Sequence, residues 1–532
     1  MRDHEVTFDT SLTPAPPVFA PVFNAAVPFI DRHLSEGRAG KIAIRSAAGD
    51  VTYQTLADNV NRCGNALNRL GLGPGERVVM VVKDCAEFFY IFWGAIKVGA
   101  IPVAINTLWR SKDYRYIVED SECAAVIYSP EYAGEVEAAL ASADHKPRHA
   151  LPVEGGGESL AALMEGESPS LDAAAHTSAE DDCFWMYSSG STGSPKGVVH
   201  AHAALVAVSH YFGVGTLGIT EDDTIFSAAK LFFAYGLGNA LCFPLWTGGQ
   251  TVLLPGRPTA ETIFETIEAY RPTVYFGVPT LYAAQLQAME GSAPDLESVR
   301  TFVSAGEALP PKIFDRWHEQ TNQHILDSIG STELLNAFIS NRADAVKPGT
   351  SGRVVPGYEA KIVDDGGAEV APGETGHLMV KGRSQFKQYW NKPGKTAETN
   401  IDGWVRTGDS YYRDEDDFFV CCGRSDDMLK VGGIWCSPVE IESRLVEHPA
   451  VLEAAIVGRA DGHDLIKPEA FVVLKDAAGA SNGLADELLT FCKAGLAPYK
   501  YPRWFNFVEE LPRTATGKVQ RFRLREPHER RP

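Results

Sequence analysis

Along this chain, short runs of consecutive apolar residues alternate with longer stretches in which apolar positions recur at helical spacing. Residues 77–82 and 124–128 read as strands buried on both faces, whereas residues 53–70 and 86–98 carry the i, i+3, i+4 recurrence of packed helices. That alternation predicts α/β layering with largely parallel strands. Glycine and proline clusters at 71–75 and 254–258 punctuate it as turns. No repeat at fixed period and no long low-complexity tract interrupts the pattern. After Phe419 the texture changes: CCGRSDDMLKVGG (421–433) is polar and turn-like, and a further αβ unit begins near Pro438. A boundary is expected near Asp426, dividing residues 1–425 from a small unit of residues 426–532.

Composition narrows the class. With 45% hydrophobic residues in 532, the chain can build more than one buried core, which excludes a disordered or miniature protein. Acidic residues outnumber basic ones, 69 to 49, and a net charge of -20 repels nucleic acid and anionic membrane, so neither is an expected partner. The most apolar stretch, 88–105, is broken by Lys97, Gly99 and Pro102 and is too short to cross about 30 Å of hydrocarbon. Nine cysteines without a CxxC pair fit a reducing compartment, and MRDHEVTFDT lacks the basic and apolar regions of a secretory signal. A cytoplasmic protein is expected.

The first chemical signal is SSGSTGSPKG (188–197), which follows an apolar strand-like run. Small residues let backbone N–H groups and hydroxyls close around phosphate oxygens, and Lys196 adds a positive charge. A flexible Ser/Gly linker is the alternative. Walker A is excluded because Gly197, not Ser or Thr, follows the lysine. Gly213, Gly215 and Gly218 match GxGxxG only by spacing, since they follow a helical pattern rather than a strand. His200 and His202 would fall on different sides of a helix, which favours packing or capping over metal binding. The segment 513–525 is strongly basic and by composition alone reads as a solvated tail.

Five motifs stand in a recognisable order: SSGSTGSPKG, then GSTE (330–333), WVRTGD (404–409), GRSDDMLKVGG (423–433) and PRTATGKVQR (512–521). With them the chain resembles the adenylate-forming, acyl-CoA synthetase superfamily over nearly its whole length. AKLFFAYGLGNA (229–240), SAGEALP (304–310) and the ending LAPYKYPR make it most similar to the benzoate-CoA ligases. The resemblance implies a large N-terminal multi-subdomain α/β domain and a small mobile C-terminal α+β domain. It also implies ATP, Mg²⁺ and coenzyme A as cosubstrates and cofactor.

The roles implied by resemblance suit the residue types. Ser188, Ser189, Gly190, Ser191, Thr192, Gly193 and Lys196 would cradle phosphates, with Ser331 beside them. Thr332 would hydrogen-bond the α-phosphate and Glu333 would help hold Mg²⁺, for which a carboxylate oxygen is apt. Asp409, in a Thr-Gly-Asp turn, would accept from the ribose hydroxyls, with Arg424 as a second contact. Lys518, behind a glycine, would bridge the attacking carboxylate and the α-phosphate as a mobile point charge. Asp426 would be the hinge about which the small domain rotates, withdrawing Lys518 and presenting Gly432 and Gly433 to the pantetheine tunnel.

A flat aryl acid wants a closed pocket of aromatic and small residues. Phe233, Ala234, Tyr235 and Gly236 have that texture, and Ala305, Gly306 and Gly330 would leave slots for a ring. Plain core packing is the alternative for Phe233. Ala234 stands where amino-acid-activating relatives carry an aspartate, which argues against an α-amino acid. Asn336 replaces a histidine common among benzoate ligases and could donate to or accept from a 2-amino or hydroxyl substituent. The resulting expectation is an ATP-dependent ligase joining benzoate or a substituted benzoate to coenzyme A through an acyl-adenylate. A stand-alone enzyme loading a carrier-protein thiol and a non-catalytic nucleotide-binding relative are the alternatives. A second copy of the chain is a candidate partner, with oligomeric state left open.

Overall fold

The computed structural model describes residues 1–155, 158–188, 195–291, 293–431, 434–461, 465–476, 479–513 and 519–525. Two large sheets carry the N-terminal part. In the first, seven strands run in the order Gln388–Tyr389, Lys196–Ala201, Asp182–Ser188, Ile101–Ala104, Arg77–Val81, Ala125–Tyr128, His149–Pro152. From Asp182–Ser188 to His149–Pro152 the strands are parallel; Lys196–Ala201 turns back antiparallel. In the second, of nine strands, Ile42–Arg45, Gln250–Val252, Thr224–Ser227, Val274–Gly277, Thr301–Ser304 and Ile325–Gly330 are parallel, and Ala337–Ser340 returns antiparallel.

Strands covered by helices on both faces must be apolar throughout, and Ala125–Tyr128 is buried at every position. The anticipated helices form at Tyr53–Arg69 and Ala86–Lys97. Thr52 caps the first by accepting from the Thr55 N–H. The second is buried from Phe88 to Lys97, and its terminal lysine is tolerated because Nζ donates to Asp31 Oδ1 and Asn61 Oδ1, each at 2.6 Å. No helix among the described residues is long and apolar enough to cross a membrane.

A third sheet is antiparallel, built on Tyr358–Val363, Gly376–Gly382, Trp404–Arg413 and Phe419–Arg424. Beyond it lies a small α+β domain with its own core of Ile441, Leu445, Ile456, Ala470, Val472 and Leu488. It pairs the strands Val451–Ala460, Ile466–Leu474 and Trp504–Phe507 with helices Pro438–Val446 and Asn482–Gly495. From the large domain, Lys312 Nζ donates to the Glu447 carbonyl at 2.9 Å, capping the C-terminal end of Pro438–Val446.

Two sequence expectations need correction. His200 and His202 do not share a helix: His200 is on Lys196–Ala201 and His202 opens the helix His202–Val208. Both are buried packing residues, as the sequence favoured, and no metal-binding cluster of His, Cys, Asp or Glu occurs among the described residues. The basic C-terminal segment is not a solvated tail where it is described. Arg513 donates to Glu453 at 2.7 Å, Arg521 reaches both Glu442 oxygens at 2.8 Å, and Arg525 pairs with Asp427.

Candidate active site

The C-terminal ends of parallel strands in an α/β sheet are where backbone groups and loops meet a ligand. Here the strand Asp182–Ser188 ends at the head of the glycine-rich loop, and Lys196 stands opposite Ser188 in register as the chain returns. Of the expected site residues, Ser189, Gly190, Ser191, Thr192, Gly193, Gly432, Gly433 and Lys518 lie outside the described residues. Both stems of the loop are tied to the helix Ser111–Ser121. Tyr187 OH donates to Asp120 Oδ2 at 2.7 Å, and Tyr116 OH donates to the Pro195 carbonyl at 2.9 Å.

Lys196 Nζ lies 4.3 Å from the centre of the Tyr389 ring. The same tyrosine donates its hydroxyl proton to Glu333 Oε1 at 2.7 Å. Burial lowers the Lys196 pKa, and Glu333 opposes that shift. Thr332 and Glu333 belong to a short 3-10 turn, Thr332–Leu334, that follows the strand Ile325–Gly330. His200 Nε2 donates to the Thr332 carbonyl at 2.8 Å, and burial holds its pKa down at about 4, so the ring is neutral with its proton on Nε2.

The turn is strained. Leu335 is fully buried with φ 67°, and the Asn336 N–H donates to the Leu334 carbonyl at 2.8 Å, closing a three-residue turn of the disfavoured hand. Strain of this kind persists where surrounding packing over-determines it, which is common at ligand sites. Gly330 belongs to the same arrangement: a Cβ there would lie 2.6 Å from the Asn336 carbonyl oxygen. A backbone crossing therefore requires glycine at 330. Gly306 is different, exposed, with φ 95° and only Val278 Cγ1, at 3.9 Å, near where a Cβ would go.

Asn336 is 2% exposed, and its amide is already engaged. Nδ2 donates to the Ala234 and Tyr235 carbonyls at 3.3 Å and to Asn239 Oδ1 at 3.4 Å, while Oδ1 accepts from the Ala337 N–H at 2.7 Å. Three acceptors and one donor fix the orientation of the amide. Asn336 thus braces the segment carrying Phe233, Ala234, Tyr235 and Gly236 and has little left for a ring substituent. Ala305 is buried directly after the strand Thr301–Ser304, and Phe233 is half-buried with its ring T-shaped against Phe232 at 4.4 Å.

Asp409 is on the strand Trp404–Arg413, not in an isolated turn as its sequence suggested. Its Oδ1 accepts from Arg424 Nη1 at 2.8 Å across the strand pair. Gly408 precedes it at φ 77°, and a Cβ there would come within 2.6 Å of Arg424 Nη2, so only glycine permits this pair. The adjacent carboxylates of Asp426 and Asp427 serve differently: Asp427 is held by Arg521 and Arg525, and Asp426 is exposed.

Several buried polar atoms around these elements have no hydrogen-bond partner: Ser188 Oγ, Ser304 Oγ, Asp327 Oδ1, Ser331 Oγ and Asn239 Nδ2. Ser188 and Ser304 end parallel strands, Asp327 is on Ile325–Gly330 and Ser331 follows it. Each such group costs about 1–3 kcal/mol unless a ligand or solvent satisfies it. Ser188 and Ser304 thus stand at the C-terminal ends of their strands, where a ligand meets an α/β sheet.

The family model for AMP-binding enzymes matches residues 31–390, and that for the AMP-binding enzyme C-terminal domain matches residues 440–518. The chain belongs to the AMP-binding enzyme family. This AMP-binding enzyme is 48% identical over 520 residues to the benzoate–CoA ligase of Thauera aromatica, covering 97% of this chain and 98% of the relative. Among solved structures it is similar to the anthranilate CoA ligase AuaEII in complex with anthranoyl-AMP, with TM-score 0.91, 41% identity and coverage of 95% and 97%. A benzoate CoA ligase from Burkholderia xenovorans LB400 aligns with TM-score 0.87 and 45% identity over 95% of this chain and all of that one, 100%.

In this AMP-binding enzyme, sequence reasoning missed Tyr389, Asp120, Asn239 and Asp327. Tyr389 and Asp120 sit in ordinary polar segments and acquire meaning only through partners far along the chain. Asp327 did carry a signal, an acidic residue inside a largely apolar strand; burial pushes its pKa well above the usual carboxylate range.

Proposed function

We propose that this enzyme activates benzoate or a ring-substituted benzoate with ATP and transfers the aroyl group to coenzyme A. In the first half-reaction a carboxylate oxygen attacks the α-phosphorus and its P–O bond to pyrophosphate breaks, leaving an aryl-adenylate. In the second, the thiol sulfur attacks the mixed anhydride carbonyl, AMP leaves and the thiol proton is released. Both transition states spread negative charge over oxygens, which fixed donors and cations stabilise.

Lys196 and the loop that it closes bind the triphosphate; Ser331 and Thr332 supply hydroxyls beside it. Asp409, oriented by Arg424, takes the ribose. The residues present fit a divalent cation: Glu333 has one oxygen engaged by a neutral hydroxyl and, among the described residues, no ion pair within 4 Å. Glu333 would hold Mg²⁺, which when bound offsets phosphate charge. Lys518 supplies the mobile ammonium between carboxylate and α-phosphate, Asp426 is the hinge between residues 1–425 and 426–532, and Gly432 and Gly433 line the thiol's approach. The enzyme works in the cytoplasm.

What supports this reading is the meeting of Lys196 and Glu333 on Tyr389 at the stem of the glycine-rich loop, together with a segment whose Ala234 offers no carboxylate to an ammonium. Benzoate and anthranilate, named for the relatives, are of the class that such a segment suits. The test is a kcat/KM panel over benzoate, 2-aminobenzoate, hydroxybenzoates and acetate with ATP, magnesium and coenzyme A. Aryl acids should exceed acetate by at least about 100-fold. Equal rates would reject the aryl assignment.

A further inference from the structure

One side chain stands between the two charged groups that meet the nucleotide's phosphates. Tyr389 is 3% exposed and lies on Gln388–Tyr389, which pairs with Lys196–Ala201 so that Tyr389 is opposite Val198. Its backbone N–H donates to Thr396 Oγ1 at 3.0 Å, and its ring packs on Phe386 at 4.7 Å between centroids, which leave the phenol little freedom. The hydroxyl is committed to Glu333 Oε1 and a ring face to the Lys196 ammonium. Among the described residues neither Lys196 nor Glu333 makes an ion pair within 4 Å, although the two are close enough to influence each other. Opposite charges this near would ordinarily close on one another. Here the phenol offers each a separate contact, a hydroxyl for the carboxylate and a π-face for the cation. Lys395, Arg424 and Glu398 are the other charges acting on Lys196, and Arg424 also acts on Tyr389.

We propose that Tyr389 is a positioning residue that holds Glu333 and Lys196 apart and aimed at the nucleotide, so that both charges remain available to phosphate. The inference rests on the adenylation reading above and deepens it. Tyr389→Phe keeps the ring and deletes the donor to Glu333; Tyr389→Leu deletes both contacts.

The test is a double-variant cycle on affinity for ATP with magnesium, measured by calorimetry without any acid. Absence of exchange with aryl acids in the unaltered enzyme would therefore defeat the substrate assignment without touching this measurement. Tyr389→Phe should weaken ATP binding about 10-fold, near the value of one hydrogen bond to a charged group, and Tyr389→Leu a further several-fold. Tyr389→Phe combined with Glu333→Gln should bind within about twofold of Glu333→Gln alone, because the phenol acts through that carboxylate. Wild-type affinity in Tyr389→Phe, or losses that multiply in the double variant, would overturn the proposal. Should Tyr389→Leu fail to fold, the near-isosteric Tyr389→Phe cycle decides.

Discussion

Arg424 donates to Asp409 Oδ1 at 2.8 Å from the neighbouring antiparallel strand, and the charge of that carboxylate raises the Arg424 pKa further. The pair pins a carboxylate that is largely shielded, with 15% of its side chain exposed. With Asp409 holding the ribose as proposed, its replacement by Ala should raise KM for ATP at least about 10-fold, since two hydroxyl contacts to a charged acceptor would be lost. Arg424→Gln should raise it less, because the acceptor stays. Steady-state kinetics with ATP varied at saturating acid reads both.

Much of the scaffold was legible because its strands are covered on both faces: an unbroken apolar run such as the one from Val78 to Val82 has few other readings. The antiparallel third sheet was less so, since Trp404–Arg413 is only partly buried and mixes polar with apolar positions. Glu333, Asp409 and Lys196 were singled out by motif wording. Their supports were not. Tyr389 lies 56 positions from Glu333 and Asp120 lies 67 from Tyr187, and a hydrogen bond between distant positions leaves no mark on local pattern. Asn336 was read as a ring contact because the sequence cannot reveal that neighbouring carbonyls have already taken its amide.

That correction has a kinetic consequence. If Asn336 braces the Ala234–Tyr235 backbone, Asn336→Ala should raise KM for benzoate and 2-aminobenzoate by similar factors, about 10-fold, with KM for ATP unchanged. A loss confined to 2-aminobenzoate would restore the substituent-reading role.

The buried histidines make stability depend on acid. Burial depresses His33 and His200 to about 4 and His202 to about 3, against 6.5 for an unhindered imidazole. These rings stay neutral in the folded chain while the unfolded chain binds protons, so stability is full above about pH 6.5 and falls as pH drops toward 4. Each contributes a slope of about 1.4 kcal/mol per pH unit within that window. Thermal melts from pH 7 to 4.5 should show Tm falling, and less steeply in His200→Gln. A flat profile would contradict the burial argument.

On the proposed mechanism Lys518 and Asp426 should separate the half-reactions. Lys518→Ala should slow aryl-adenylate formation at least about 100-fold while leaving thiolysis of supplied adenylate within a few-fold of normal. Asp426→Pro restricts φ at the hinge and should impair one half-reaction selectively. Equal loss of both in Asp426→Pro would count against a hinge.

The most direct measurement withholds coenzyme A. Enzyme mixed with benzoate, ATP and magnesium, then quenched and analysed by mass spectrometry, should contain benzoyl-AMP at about one equivalent per site with matching pyrophosphate, and added coenzyme A should convert it to benzoyl-CoA and AMP. ADP and phosphate in place of AMP and pyrophosphate, or no product at all until the thiol is present, would contradict the account.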